Sequence, residues 1–374
     1  MQIAVIGRGI AGLTIAYRLL EHGHQPTIFG QHELRASDAA QGLLCNKGLL
    51  FSFQPLFRAK LQSLHRVQRF LANVEKRTGY SIEKRFDGVL EPYFSSEDYH
   101  KIVKRVYKGK FTGLYGTKNL PPSPNLAEYF ESPQGCLHYP QDGWYSAADL
   151  LRALESYILE SGVETYADLI GSIRPLEDGR LCLQTKSGES RIFDKLVIAA
   201  GVGTQSLLNS LGIHGIKFFY HPGQVMAIDH SGLDGYAFVR RTYSLIGQRR
   251  MMLGSTTGKS LVPSFDIDLE AGREKLWEAL SQEFCVRSDV MQNLRSREIE
   301  DLWGVRVRIH DRLPILGSLG AFDTALRSVF VCAGLYKNGL QLSEAMAEWV
   351  VSEMLEGSMD ELGRAFHVSR YARS

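Results

Sequence analysis

The first apolar run of the chain, Ile3-Ala4-Val5-Ile6, is continuous rather than alternating, the pattern of a strand buried on both faces. After Gly7-Arg8-Gly9, apolar positions at Leu13, Ala16, Leu19 and Leu20 keep helical spacing and predict a helix that stops at Gly23. Pro26 to Phe29 predicts the next strand. Leu61, Leu64, Val67, Phe70, Leu71 and Val74 predict a long amphipathic helix. Leu150, Leu151, Leu154, Tyr157 and Ile158 predict another over Ala147 to about Glu160, with Ser146 as its cap and Asp149 completing a capping box. Arg180 to Thr185 and Arg191 to Phe193, joined by Lys186-Ser187-Gly188-Glu189, read as a hairpin, and Lys195 to Ala200 reads as a buried strand ending at Gly201. Strand-like pieces at Gln224 to Ile228, Tyr236 to Arg240 and Met251 to Gly254 precede a helix around Arg273 to Phe284. A last strand, Val329 to Cys332, runs through Gly334-Leu335-Tyr336-Lys337-Asn338-Gly339 into an amphipathic helix that begins near Leu340.

Two of these patterns carry chemistry. Gly7-Arg8-Gly9-Ile10-Ala11-Gly12 lies between a strand and a helix, where Gly7 permits the tight turn, Gly9 admits a pyrophosphate to the helix N-terminus at Ile10 and Ala11, and Gly12 lets helix and strand pack closely. This predicts a Rossmann-type dinucleotide-binding unit. The chain opens on that strand, so the remaining residues are expected to supply both substrate site and cofactor pocket, which favours FAD over NAD. The acid expected at the end of the second strand, where it would bind the adenosine ribose, is replaced by Gly30; Gln31, Glu33 or backbone and water must serve instead. The turn Gly334 to Gly339 predicts a second helix N-terminus aimed at a ligand, where donors and the helix dipole would stabilise the negative edge of a reduced flavin.

With 374 residues, 44% of them hydrophobic, the chain can bury a large core and is expected to form two lobes. The net charge of +2 neither demands nor excludes a polyanionic partner. Five scattered cysteines without a CxxC pair argue against a disulfide framework or a metal site. There is no signal-peptide pattern and no apolar stretch near the ~20 residues of a membrane span, so a cytoplasmic location is expected. Lys101, Lys104, Arg105, Lys108, Lys110 and Lys118, interleaved with Tyr107, Phe111 and Tyr115, read either as a solvated face or as a surface for RNA backbone.

The fingerprint Gly7 to Gly12, the loop Gln41-Gly42, Tyr139-Pro140-Gln141-Asp142-Gly143-Trp144, the strand ending at Gly201, Gly223-Gln224, the segment Gly304 to Gly317 and the turn Gly334 to Gly339 together resemble the FAD-dependent D-amino acid oxidase superfamily, in its glycine and sarcosine oxidase branch. Within it the chain is most similar to the FAD domain of bifunctional tRNA 5-methylaminomethyl-2-thiouridine biosynthesis enzymes. The resemblance implies an α/β fold: a Rossmann-type FAD-binding domain (1–50, 145–214 and 304–374) interleaved with an α+β substrate domain on a mixed sheet (51–144 and 215–303). It implies cofactor contacts at Gln41, Gly42, Leu43, Gly201, Gly304, Gly334, Asn338, Gly339 and Leu340 besides the fingerprint. FAD should be non-covalent, since no cysteine stands at Gly304. Arg306 matches the arginine that pairs with the substrate carboxylate, the alternative being a structural ion pair with Asp301 or Asp311. Tyr236 falls where a tyrosine touches the same carboxylate. Lys337 is either a positive charge near a reacting oxygen or a solvent-facing turn lysine, and His310 is the nearest histidine in sequence. The implied reaction is hydride transfer from an amine-bearing carbon to flavin N5, followed by imine hydrolysis and reoxidation by O2. Its substrate is a small amino or imino acid or, alternatively, the carboxymethylamino group of a tRNA wobble uridine. A third expectation is an FAD-binding subunit that needs a partner for activity.

Overall fold

The structure is a computed structural model and describes residues 1–31, 35–46, 54–107, 118–121, 124–230 and 233–372. Its first sheet has six strands in the order Ile315–Ser318, Val329–Ala333, Lys195–Ile198, Ile3–Ile6, Pro26–Phe29 and Thr165–Tyr166, all pairs parallel except the first. Successive residues of Ile3–Ile6 enter opposite cores: Ile3 and Val5 face the helices Ile10–Glu21, Gln54–Thr78, Ala147–Glu160 and Gly339–Glu356, while Ala4 and Ile6 face a layer built on the three-stranded sheet of Ile170–Pro175, Leu181–Thr185 and Ser190–Phe193. This double burial is why the strand reads as an unbroken apolar run.

The second sheet has eight strands, in the order Ile299–Ile309, Phe218–Ile228, Met251–Gly254, Tyr243–Gly247, Ala237–Arg240, Val89–Tyr93, Gly135–Tyr139 and Lys118–Leu120. It is mixed, because Ala237–Arg240 runs parallel to Val89–Tyr93 while its other pairings are antiparallel. Met226, Ile228, Phe238, Leu245 and Leu253 cover one face together with Leu276, Trp277 and Leu280 of the helix Leu269–Gln282. The opposite face carries Val225, Ala227, Val239, Ile246 and Met252 and packs with Val89, Leu137, Tyr139 and Trp144. The strands Phe218–Ile228 and Ile299–Ile309 are long enough to reach beyond this sheet, so Phe218, Tyr220, Val305, Val307 and Ile309 belong to the core under the first sheet.

Two expected domain limits shift. The helix Gln54–Thr78, assigned to the substrate half, buries Leu64, Val67, Phe70, Leu71 and Val74 in the core of the nucleotide-binding unit, and its Arg66 pairs with Glu344 of the last long helix at 2.7 Å. An amphipathic stripe fixes that a helix packs, not on what. The limit at residue 304 falls inside Ile299–Ile309, whose register against Phe218–Ile228 is unbroken. The capping box is half formed: Ser146 Oγ accepts from the Asp149 amide at 3.2 Å, but the Asp149 carboxylate accepts from the Glu83 amide instead of returning to Ser146.

Candidate active site

The nucleotide end of the cleft is made of close approaches that exclude side chains. Gly7 has φ +126°, and a methyl group there would strike the Ala199 carbonyl; one at Gly12 would strike the carbonyl of Gly7. Gly9 is the N-cap of Ile10–Glu21 and offers no side-chain cap, while the Ile10 amide is met at 3.0 Å by Ser37 Oγ from the following loop. The last long helix repeats the device. Its N-cap, Asn338, also makes no side-chain cap, and a Cβ on Gly339 would lie 3.5 Å from Ile10 Cγ2, so the two glycine-bearing helix starts stand side by side. Backbone N–H groups at both ends remain for anionic or carbonyl oxygens.

The absent ribose acid has a local cause. Gly30 adopts φ +150°, and a Cβ on it would sit 3.2 Å from the Arg8 amide nitrogen, so an Asp or Glu is disfavoured by backbone strain and by a tight contact. Gln31 is exposed just beyond it. Glu33 lies outside the described residues, as do Lys108, Lys110, Phe111 and Tyr115 of the basic segment and the side chains of Arg105 and Tyr107; of the rest, Lys101 forms an exposed pair with Glu97 at 2.7 Å.

Most of the other residues expected to touch the cofactor also have structural duties. The Gln41 amide is saturated: Nε2 donates to the carbonyls of Ser244 (3.1 Å) and Met252 (3.2 Å), and Oε1 accepts from Ser244 Oγ (2.7 Å), so it ties the loop to the second sheet. Gly42, at φ +90°, lets the loop press on the Tyr145 carbonyl; Leu43 pairs in a short ladder with Trp144. Gly304 admits Ala36, whose Cα would be 2.7 Å from a Cβ there, and Gly334, at φ +77°, admits Ile309. The carbonyl of buried Leu340 accepts from Tyr145 Oη at 2.8 Å. Gly201, at φ +52°, follows the strand that ends against Gly7 and faces open space.

Opposite the helix starts, the two long strands present side chains on one face. Arg306 pairs in register with His221, and Gly304 with Gly223. Gly223 is obligatory, since a Cβ there would overlap Arg306 Nη2. Arg306 Nη1 donates to Ser255 Oγ at 3.1 Å and Nη2 to the Thr256 carbonyl at 2.8 Å. The structural ion pairs that sequence left open are not formed, because Asp301 binds Arg273 and Gln224 (2.8 Å), and Asp311 binds Arg370 (2.9 Å). Burial pushes the Arg306 guanidinium below its ordinary value, and no carboxylate among the described residues offsets this.

Lys337 comes to the same place from the turn before the last long helix. Its ammonium is lowered to about 8, first by desolvation and then by the charge of Arg306. His221 Nδ1 donates to the Gly258 carbonyl at 2.9 Å and Nε2 accepts from Arg308 Nε at 3.3 Å, which fixes the neutral tautomer; burial and the neighbouring cations also lower its pKa. The Tyr336 ring lies 4.8 Å from the His221 ring, on a residue held at φ +54°. Sequence reading missed His221, Arg308, Ser37 and Tyr336. His310 packs its ring on Tyr371 and takes no part.

Tyr236 is not in this group. Its carbonyl accepts from the Gly247 amide, and Gly247, Met251, Ile228 and Ile299 follow in register across the sheet, which puts it at the level of Ile299, about 23 Å along the strand from Arg306. Its ring is covered by the Arg85 guanidinium at 3.9 Å. The cause is the tight hairpin of Ala237–Arg240 and Tyr243–Gly247, which turns the chain back so that Ser244 meets Gln41 while Tyr236 stays at the far end of the strand.

Residues 2–353 match the model of the DAO family, described as FAD dependent oxidoreductase. The chain belongs to this family. Glycine oxidase of Geobacillus kaustophilus is 25% identical over 95% of the chain and 93% of its own length. The tRNA 5-methylaminomethyl-2-thiouridine biosynthesis bifunctional protein MnmC of Shewanella amazonensis is 26% identical over 85% of the chain but 47% of its own length. Among solved structures, glycine oxidase from Bacillus cereus superposes with TM-score 0.82 at 22% identity, covering 97% of both chains. In a family whose members are FAD dependent oxidoreductases, the two helix starts without a side-chain cap from their own N-cap residue fit a bound FAD: Gly7 to Gly12 would hold the pyrophosphate, and the Asn338-Gly339 turn the flavin's polar edge.

Proposed function

We propose that this FAD-dependent oxidoreductase oxidises the C–N bond of a small amine that carries a carboxylate, such as a glycine-like amino or imino acid. The observation that carries the reading is Arg306, a desolvated guanidinium on the cleft face with two donors fixed by Ser255 and Thr256 and none on an acid among the described residues. A fork so held suits a bidentate carboxylate. Lys337 adds a second positive charge to the same point. Bound FAD supplies the acceptor for two electrons and a proton as hydride. The chain's own part is to orient the carboxylate so that the amine-bearing carbon is held against the cofactor face, which is where most of the rate advantage of such a site arises. His221 is unavailable as a base, because Nδ1 and Nε2 are both engaged. The substrate therefore has to arrive with a neutral amine. The cysteine nearest the cofactor loop in sequence, Cys45, precedes buried Asn46, and no cysteine stands at Gly304, which supports non-covalent FAD; acid precipitation should release the yellow chromophore.

A tRNA-borne carboxymethylamino group is the second reading, supported by the similarity to about half of MnmC. Anaerobic mixing of the holoenzyme with glycine, sarcosine, D-amino acids, proline and tRNA separates the two. Bleaching by a free amino or imino acid supports the first, bleaching by tRNA alone supports the second, and bleaching by none overturns both.

A further inference from the structure

Most arginines of this protein with buried or half-buried heads are matched by acids: Arg18 and Arg66 by Glu344, Arg35 by Asp38 and Glu155, Arg240 by Asp98, Arg370 by Asp311. The cleft face of the long strands is the exception. Arg306 and Arg308 are two residues apart on Ile299–Ile309 and project on the same side, about 7 Å apart at Cα. Arg308 makes a backbone bridge with Leu335, which brings it beside the Tyr336-Lys337 turn. Its guanidinium lies 4.9 Å over the Phe219 ring, and Lys259 Nζ lies 5.3 Å from the same ring. Its Nε donates to His221 Nε2 at 3.3 Å, which orients the head and leaves both Nη groups without an acid among the described residues. Three cations, Arg306, Arg308 and Lys337, thus gather around one neutral histidine, with exposed Lys259 across the Phe219 ring from Arg308, and none of the four forms an ion pair with a described carboxylate. Such a gathering repels itself and is relieved when anionic oxygens enter.

One carboxylate satisfies Arg306 and Lys337. The Arg308 head is held by its own contacts, His221 and Phe219, and its Nη groups are left for a further anion. We propose that the substrate carries a second anionic group, held by Arg308 with Lys259 beside it, so that the preferred substrate class is a dicarboxylic amino or imino acid such as an iminodiacid, whose two carboxylates flank one secondary amine. His221 is then a positioning residue for Arg308. This rests on the assignment of Arg306 to the first carboxylate.

The test uses the FAD-loaded protein and two non-reacting probes, glutarate with two carboxylates and butyrate with one, followed through the perturbation of flavin absorbance. Glutarate should bind at least about tenfold tighter than butyrate, the worth of one charge-assisted contact. Arg308→Gln should erase that advantage, and Arg308→Lys should restore part of it. Equal affinities in the unaltered protein, or an advantage that persists in Arg308→Gln at normal FAD content, overturns the proposal. If Arg308→Gln fails to hold FAD, the unaltered protein's glutarate-to-butyrate ratio and the Arg308→Lys variant still decide it. Failure of the first-carboxylate assignment looks different: Arg306→Met would leave butyrate binding unchanged.

Discussion

The two sides of the cleft recognise with different materials. On the nucleotide side, around Gly7 to Gly12 and Asn338-Gly339, recognition would be by backbone, and side chains at Gly7 and Gly12 are excluded because the carbonyls of Ala199 and Gly7 occupy their space. On the side proposed for the substrate, Arg306, Arg308 and Lys337 would recognise by side-chain charge, with neutral His221 orienting Arg308, and the glycine opposite, Gly223, makes room for Arg306 and the Thr256 carbonyl. The first kind of site tolerates almost no added atom; the second tolerates exchange of atoms but not of charge.

The largest effect should come from adding atoms on the nucleotide side. Gly12→Val places branched carbons against the Gly7 carbonyl, so expression should yield no FAD-loaded protein; recovery of a yellow, soluble variant would show that the turn is not backbone-limited. Next is the loss of charge on the substrate side. Arg306→Met should reduce transition-state stabilisation by about 2–5 kcal/mol, read as kcat/KM for the identified substrate, with FAD content unchanged. Arg306→Lys should fall between, since it keeps the charge and loses the fork.

A smaller effect separates the two cations that meet the carboxylate. Lys337, lowered to about 8, carries its charge below that pH and loses it above, whereas Arg306 stays charged. Affinity for butyrate should therefore decline as pH rises past about 8, and in Lys337→Met it should start lower and stay level. A curve that keeps its bend in the variant would assign the titration elsewhere. The smallest effect is on the nucleotide side again: Ser37→Ala removes the hydroxyl that meets the Ile10 amide and should weaken FAD retention by about 1 kcal/mol, measured as the apoprotein fraction after dilution.

The same contrast explains what the sequence made legible. Gly7, Gly9, Gly12 and the run Ile3-Ala4-Val5-Ile6 are local in the chain, so spacing alone gives turn, strand and helix, and the structure has each of them. The mixed-sheet architecture followed from the family resemblance. The place of Tyr236 did not, because two hairpin strands of similar composition give no register until their turn is known. Nor did His221 and Arg308, which become neighbours only through the pairing of residues 218–228 with 299–309, some eighty positions apart. The bonds that tie the Gln41 amide to Ser244 and Met252 were not legible either, since sequence does not bring those residues near it.

The long strands Phe218–Ile228 and Ile299–Ile309 have a further consequence for how the molecule comes apart. Tyr220 and Val307 are buried under the first sheet while Val225 and Met226 are buried in the second, all on the same two ribbons. Neither lobe can melt without stripping core residues from the other, so denaturation should be a single cooperative event, read as coincident transitions by two spectroscopic probes. Cofactor that binds only the native state at Gly7 to Gly12 then raises the free energy of every global opening, including those that would expose amides of the substrate sheet.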